Sequence, residues 1–312
     1  MARRRRRTKR RYFWAAAVTV LIIIFANLAG KGMLPGFIQK PVDAANKATG
    51  GAVYAQSKPE LKNLSVHYID VGQGDSEFVY CDGATMLIDG GPAAAEGKAE
   101  SYLKSYGITK LDYVIATHPH EDHIGGLVNV VNDIKIDNFI MSDATTNTDT
   151  FYKLVKGIKA KGIKTIKAKP GTKYTLGGAT FTVLAPNGTG YDDLNNYSVV
   201  IRLTYHSRTF LFTGDASKIS EAEMLKKGYD LKSDVLKVGH HGSATASTEA
   251  FLKSVGPQLA VISVGKGNVY GLPEASTIKR INKMNIKLLR TDESGTIVIS
   301  SNGTTLNYQT EK

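Results

Sequence analysis

Histidine is the side chain best suited to metal binding and acid–base chemistry near neutral pH, and this chain uses it sparingly. Its seven histidines are residues 67, 118, 120, 123, 206, 240 and 241. Five of them fall in two tight clusters, each just after an apolar run of strand type. The first cluster lies in VIATHPHEDHIGG, residues 114–126. It sets four potential ligands, His118, His120, Asp122 and His123, within six residues of a strand-to-helix turn. Pro119 and the Gly125-Gly126 pair suit a tight loop whose side chains converge. Such a loop can serve two metals, because the pairs 118/120 and 122/123 point into different half-sites. Imidazole and carboxylate donors suit Zn²⁺ or Mn²⁺ in a hydrolytic site.

The second cluster is LKVGHHGS, residues 236–243. Adjacent side chains diverge, so one of His240 and His241 is assigned to a metal and the other to substrate. Between the clusters, TFLFTGD (209–215) is an apolar strand that delivers Asp215 at its end. An Asp after Gly is ordinarily a turn residue; beside these histidines it is a candidate bridge between two metals. The single cysteine, Cys81, excludes an intramolecular disulfide framework and any Cys-rich zinc module. Any metal site must therefore be built from His, Asp and Glu.

The elements that must position these groups are short. Strand-type runs are expected at 64–71, 77–81, 85–88, 113–117, 138–141, 164–168, 180–184, 199–205, 209–212, 235–238, 259–264, 286–289, 296–300 and 305–308. Helical runs are expected at 93–106, 125–131, 148–161, 217–227, 248–255 and 276–283. Turn signals at Asp82-Gly83 and around His206 mark hairpins. Mixed strand and helix signals throughout make residues 61–312 one mixed α/β domain.

The 312 residues are 42% hydrophobic and 22% charged, which excludes a mostly disordered chain. The net charge of +12 is uneven. Residues 1–11 hold eight basic groups and no acid; taking those from the 40 leaves 32 against 28 acids, a mildly basic remainder. That remainder is compatible with a polyanionic substrate. The basic tail is followed by the uncharged apolar run Phe13–Ala29, and residues 12–30 have the length that crosses a bilayer. Basic residues stay cytoplasmic, so residues 12–30 are expected to be a signal-anchor with the remainder extracellular, at the cell membrane. A cleaved signal peptide, giving a secreted protein, is the competing reading, but its best small-x-small site, Val53-Tyr54-Ala55, lies far downstream. Residues 31–60, rich in Gly, Ala, Lys and Pro, read as a flexible linker.

THPHEDH followed by LFTGD and VGHHGS resembles the metallo-β-lactamase-fold hydrolases. HYIDVGQGDSEFV, LIDGG, NNYSVVIRL and ISVGKGNVYG narrow the resemblance, across residues 64–300, to one subgroup. That subgroup is the nuclease-like domain of the ComEC competence DNA-uptake proteins and its free-standing relatives, here of the kind with an anchor and a hydrolase domain. The resemblance implies a four-layer αββα sandwich with two metals at one edge, preceded by one N-terminal transmembrane helix. Carried over by position, His118 and His120 hold one metal and Asp122 and His123 the other. Asp215 bridges them, and His240 (or its neighbour His241) completes the second site. His241 is then the residue that contacts substrate or protonates the leaving oxygen, with Asp122 as its catalytic companion.

The resemblance also places the turn carrying Asp70 and Asp75 beside the site, with Asp89 and Ser243 as groups that touch ligands or substrate. Two departures stand out. The first metal lacks a third histidine, since only His206 lies in the relevant interval; Asp70 or Asp75 is an alternative ligand. Leu272 stands where the subgroup commonly has His. The implied chemistry is hydrolysis of a phosphodiester, with a nucleic acid as the expected substrate, by water activated between two divalent ions, Zn or Mn. The competing readings are hydrolysis of another ester or amide, such as a cell-wall phosphodiester or a β-lactam, and a non-catalytic DNA- or wall-binding domain with a vestigial metal site.

Overall fold

Alternation along the strands decides which side chains face which layer. In the computed structural model, which describes residues 51–53, 58–95 and 97–312, the strand β1 (Leu64–Tyr68) turns Leu64, Val66 and Tyr68 to one side and Ser65 and His67 to the other. The chain divides into two units, 1–58 and 59–312. Of the first, a short strand at Gly51–Val53 is described. The basic tail, the expected span at 12–30 and most of the expected linker lie outside the described residues. Among the described residues no helix is long and apolar enough to cross a membrane.

Within unit 59–312, β1 is followed by β2 (Glu77–Cys81) and β3 (Ala84–Ile88), then helix α1 (Lys98–Ser105) and β4 (Lys110–Ala116). Next come α2 (Glu121–Ile124), α3 (Leu127–Asp133), β5 (Lys135–Met141), α4 (Asp149–Ala160) and β6 (Lys164–Lys167). The second half holds β7 (Lys173–Leu176), β8 (Ala179–Ala185), β9 (Val200–Tyr205), β10 (Arg208–Phe212), α5 (Lys218–Lys226) and β11 (Val235–Lys237). It continues through α6 (Glu249–Val255), β12 (Leu259–Ile262), α7 (Ala275–Lys283), β13 (Lys287–Arg290), α8 (Thr291–Ser294), β14 (Ile297–Ser301) and β15 (Leu306–Thr310).

Within this unit the first sheet runs β15-β14-β1-β2-β3-β4-β5-β6, and the second β13-β12-β11-β10-β9-β8-β7. Each is antiparallel in one half and parallel in the other: β3 to β6 are parallel, as are β10 to β13. The sheets pack face to face through Val66, Met86 and Ile115 from one and Phe181, Phe210 and Val261 from the other. The outer face of the first sheet is covered by apolar residues of α1, α3 and α4, such as Leu103, Val130 and Leu154. That of the second is covered by α5, α6 and α7 through Met224, Phe251 and Ile281. This is the expected αββα sandwich. Of its parallel strands, the inner β12, Leu-Ala-Val-Ile, is buried on both faces and is the continuous apolar run such a strand requires. The carboxyl ends of the parallel strands release the loops that carry the histidines.

Several elements differ from the sequence reading, the short helices α2 and α8 among them, which it did not expect. β1 stops at Tyr68, because the chain turns back on itself where Ile69 N–H donates to the Ser76 carbonyl at 2.9 Å. The helix expected at 93–106 is interrupted at Gly97, which is left-handed at φ 74° and starts α1 afresh. The edge strand β7 was not expected; its alternating Lys-Tyr-Thr-Leu buries only Leu176 and carries no apolar run.

Candidate metal centre

The first histidine loop is held in place by backbone that comes closer than any side chain allows. A Cβ on Gly126 would stand 2.0 Å from the Gly90 carbonyl oxygen, and one on Gly74 would stand 2.2 Å from that of Asp122. These approaches lock the turns after β1 and β3 against the 118–126 loop. Asp89, at the end of β3, then reaches across to the end of β4. Its Oδ1 accepts from Thr117 N–H at 2.8 Å and its Oδ2 from the Thr117 hydroxyl at 2.6 Å. The same Oδ2 lies 2.8 Å from His123 Nδ1. With Nδ1 so engaged, His123 turns Nε2 to the centre, 3.2 Å from Asp215 Oδ2 and 3.8 Å from Asp122 Oδ2.

His241 is positioned the same way from the other sheet. Its Nδ1 lies 3.0 Å from the Ser263 carbonyl oxygen and 3.2 Å from Asp75 Oδ1. Its Nε2 lies 3.1 Å from Asp122 Oδ2 and 3.6 Å from Asp215 Oδ2. Donor atoms of Asp122, His123, Asp215 and His241 thus gather within 4.8 Å of one another, and those of His118, His120 and Asp215 do the same. Asp215 belongs to both groups. Its backbone N–H donates to the Ser198 hydroxyl at 3.1 Å, and that hydroxyl lies 3.4 Å from His118 Nδ1.

The geometry places the two adjacent histidines the other way round from the expectation. Both are left-handed, at φ 49° and 50°, in the turn after β11. Consecutive left-handed residues are sterically costly outside glycine, and here they send the two rings different ways. His241, expected as the proton donor, is buried among the ligand groups. His240, expected as the ligand, keeps its side chain 27% exposed, with Nε2 3.8 Å from Asp215 Oδ2. Its Nδ1 meets the Thr245 hydroxyl at 3.2 Å.

The remaining expected residues separate in the same way. Asp75 is no third ligand for the His118/His120 pair: it lies behind His241, paired with the fully buried Lys237 at 2.6 Å. Asp70 Oδ1 accepts from Gly72 N–H and caps its own turn, outside both ligand groups. Ser243 bonds the Thr245 hydroxyl at 3.0 Å and reaches Glu274 at 3.4 Å, so it shapes the histidine turn. Leu272 packs partly buried against the apolar layer under α7. Of the other histidines, His67 is enclosed by Phe78, Tyr102 and Tyr106, where burial pushes its pKa down to about 3, and His206 sits at a hairpin tip. Thr117, Ser198, Lys237 and Thr245 were not read from the sequence. Only their place beside a cluster or inside a quoted motif could have signalled them.

The donors fit a divalent ion. His123 Nε2 and Asp215 Oδ1 are buried without a hydrogen-bond partner, an expensive arrangement unless a cation completes it. Without one, protons take its place. Burial alone lowers the pKa of His241, but Asp215, Asp75 and Asp122 together raise it to about 10. Burial likewise opposes protonation of His123, and the carboxylates of Asp215, Asp122 and Asp89 raise its pKa well above the ordinary value. His118 goes the other way: burial and the neighbouring His123 hold it neutral. The raised values mean that protons compete with metal at His123 and His241 up to alkaline pH. Metal entering that group at pH 7 is therefore expected to release about two protons, and its affinity to rise with pH up to about 10. Calorimetry in buffers of different ionisation enthalpy reads this number directly; release of no proton would contradict the reading.

Lys237 offers a second expectation. Burial lowers its pKa, yet Asp75 and Glu77 outweigh that and keep the ammonium charged. Lys237→Met leaves Asp75 buried without its counter-charge, which costs about 3–5 kcal/mol when one partner of a buried pair is removed. Urea denaturation should show that loss, and pairing it with Asp75→Asn should recover much of it.

Residues 69–266 match the Metallo-beta-lactamase superfamily, and the chain belongs to that superfamily. Among curated proteins it is 30% identical over 250 residues to ComE operon protein 3 of Bacillus subtilis, covering 74% of this chain and 32% of that one. It is 33% identical over 251 residues to competence protein ComA of Neisseria gonorrhoeae, covering 79% of this chain and 34% of that one. The chain spans about a third of the length of these relatives. Among solved structures, Igni18, a metallo hydrolase from Ignicoccus hospitalis, superposes with a TM-score of 0.52 at 17% identity. That match covers 76% of this chain and 100% of Igni18, and it supports the fold.

Proposed function

We propose that residues 59–312 form a metal-dependent phosphodiesterase that acts on nucleic acid, held outside the cell membrane by residues 12–30. The observation that carries the reading is the pair of ligand groups sharing Asp215. Shared ligation is the arrangement by which two-ion sites clamp a phosphoryl group. His118, His120 and Asp215 would hold one ion, and Asp122, His123, His241 and Asp215 the other; Zn²⁺ and Mn²⁺ both suit these donors. Two such ions supply Lewis acidity to the phosphoryl oxygens and lower the pKa of water toward ~7.

The protein's own groups do the rest. Asp89 fixes the His123 ring, and Asp75 with the Ser263 carbonyl fixes His241. Such partners hold ligand orientation and tautomer. The Thr245 hydroxyl, 3.2 Å from Nδ1, steadies the His240 ring with Nε2 as the nitrogen nearest Asp215. His240 therefore contacts the phosphate or protonates the leaving oxygen. Two relatives whose names include competence or the ComE operon support nucleic acid as the substrate. The convergence of six His and Asp side chains in two groups around Asp215 argues against a vestigial site.

The reading is tested with the full-length chain loaded with Mn²⁺ or Zn²⁺. It should hydrolyse bis-p-nitrophenyl phosphate and DNA, and chelation should abolish both activities. Cleavage of a β-lactam with neither phosphodiester touched would replace this function with another.

A further inference from the structure

Beside the metal centre lies a cavity of about 430 Å³, lined by Val71, Gln73, Pro92, Lys98, Asp122 and Tyr270 among others. Asp122 belongs both to this wall and to a ligand group, so the cavity opens directly onto the site. Tyr270 stands on the loop from β12 to α7 and is 70% exposed; the preceding Val269 is 93% exposed. No burial explains a large ring there. The loop is nevertheless well fixed. Asn268 Nδ2 donates to the carbonyls of Gly265 and Leu272 at 2.9 and 2.6 Å. Its Oδ1 accepts from the N–H groups of Tyr270 and Leu272, both at 3.1 Å. At the loop's base, Gly265 packs so closely on Gln73 that a Cβ would stand 2.6 Å from its backbone nitrogen.

We propose that this cavity is a nucleotide subsite in which Tyr270 stacks on an unpaired base flanking the scissile phosphate and Lys98 meets an adjoining phosphate. The proposal rests on the phosphodiesterase reading and adds to it the form of the substrate. An exposed aromatic ring on a backbone fixed in this way offers a stacking platform, and such stacking is the usual grip on single strands. Lys98 Nζ donates to a neutral acceptor, the Asp70 carbonyl, at 3.5 Å from the cavity wall. Val71, Pro92, Ala94 and Ala95 give the cavity apolar walls suited to a base or sugar. Its volume lies near the lower end of the ~300–1,000 Å³ typical of small-ligand sites, room for a nucleotide and not for a duplex. A base inside a duplex has both faces covered, so only an unpaired or extruded one can stack on Tyr270.

The test compares wild type, Tyr270→Ala, Tyr270→Trp and the control Tyr152→Ala, all full-length and loaded with Mn²⁺. Tyr152 is an exposed tyrosine on α4, outside the cavity. Substrates are a short oligothymidylate, a blunt duplex, bis-p-nitrophenyl phosphate and a glycerol phosphodiester. Tyr270→Ala should lower kcat/KM for oligothymidylate relative to bis-p-nitrophenyl phosphate by about 5- to 140-fold, the worth of one base–aromatic stack. Tyr270→Trp should restore the ratio, Tyr152→Ala should leave it alone, and the single strand should outpace the duplex. An unchanged ratio, or a loss confined to the glycerol diester, overturns the subsite; the latter assigns it to a wall polymer. Anisotropy of labelled oligothymidylate separates the two claims. Binding weakened by Tyr270→Ala without any hydrolysis sustains the subsite and sinks the enzymatic reading, and no binding sinks the subsite.

Discussion

Asp215→Ala is expected to empty both half-sites at once, and with them the hydrolytic activity. Asp215 is the one side chain common to the two ligand groups, and it is buried at the end of β10. Burial by itself raises its pKa, but His123 and His241 hold the carboxyl well below its ordinary range, so it stays an anion. Removing that anion takes a donor from each ion and leaves two cations less neutralised in a dry site, where repulsion is strong. The loss should exceed several kcal/mol of transition-state stabilisation, on the order of 10³-fold or more in rate. Asp215→Asn separates charge from shape: it keeps the volume and the acceptor but not the negative charge. Metal counting by mass spectrometry on dialysed protein reads the outcome before any substrate is added. Two ions retained by Asp215→Asn would refute the bridging assignment.

The wild-type centre should also be uneven. Four side chains converge on the Asp122/His123/His241 half-site and three on the His118/His120 half-site. Fewer protein donors leave more positions to water, so the His118/His120 ion should be the first lost on dialysis.

Much of this centre was legible in the sequence because its donors are local. His118, His120, Asp122 and His123 lie in one turn, and an apolar strand running into Gly214-Asp215 advertises a carboxylate at a sheet edge. The strands themselves follow from apolar runs such as residues 209–212, which must bury both faces. What was not legible depends on distant pairing or on backbone torsion. Asp75 meets Lys237 across 162 residues, and nothing near either residue announces the other. A lysine inside an apolar strand reads as a surface group until the opposing carboxylate is seen. The break at Gly97 comes from a left-handed torsion and the stop at Tyr68 from the Ile69–Ser76 hydrogen bond, neither of which composition reveals. The sequence reading set His240 and not His241 among the ligands for the same reason, since adjacency says that two rings diverge but not which one turns inward.

That torsional detail leads to opposite expectations for the two neighbours. His241→Ala removes a buried donor whose Nε2 lies 3.1 Å from Asp122 and 3.6 Å from Asp215. It should weaken or abolish binding of the ion shared with Asp122 and His123, and activity should fall as metal content falls. His240→Ala removes a ring outside both ligand groups, partly exposed and steadied by Thr245. Two ions should remain while turnover drops roughly 10²–10⁴-fold, the range for loss of a positioned general acid. The drop should shrink for substrates with acidic leaving groups such as p-nitrophenol, which depart without a proton, and remain large for DNA, whose leaving alcohol needs one. Thr245→Val should lower turnover to a smaller degree, because it releases Nδ1 and frees the tautomer without removing the imidazole. Metal content and turnover measured side by side on the three variants decide the matter. If His240→Ala loses an ion while His241→Ala keeps both, the rings hold the reverse of the roles assigned here.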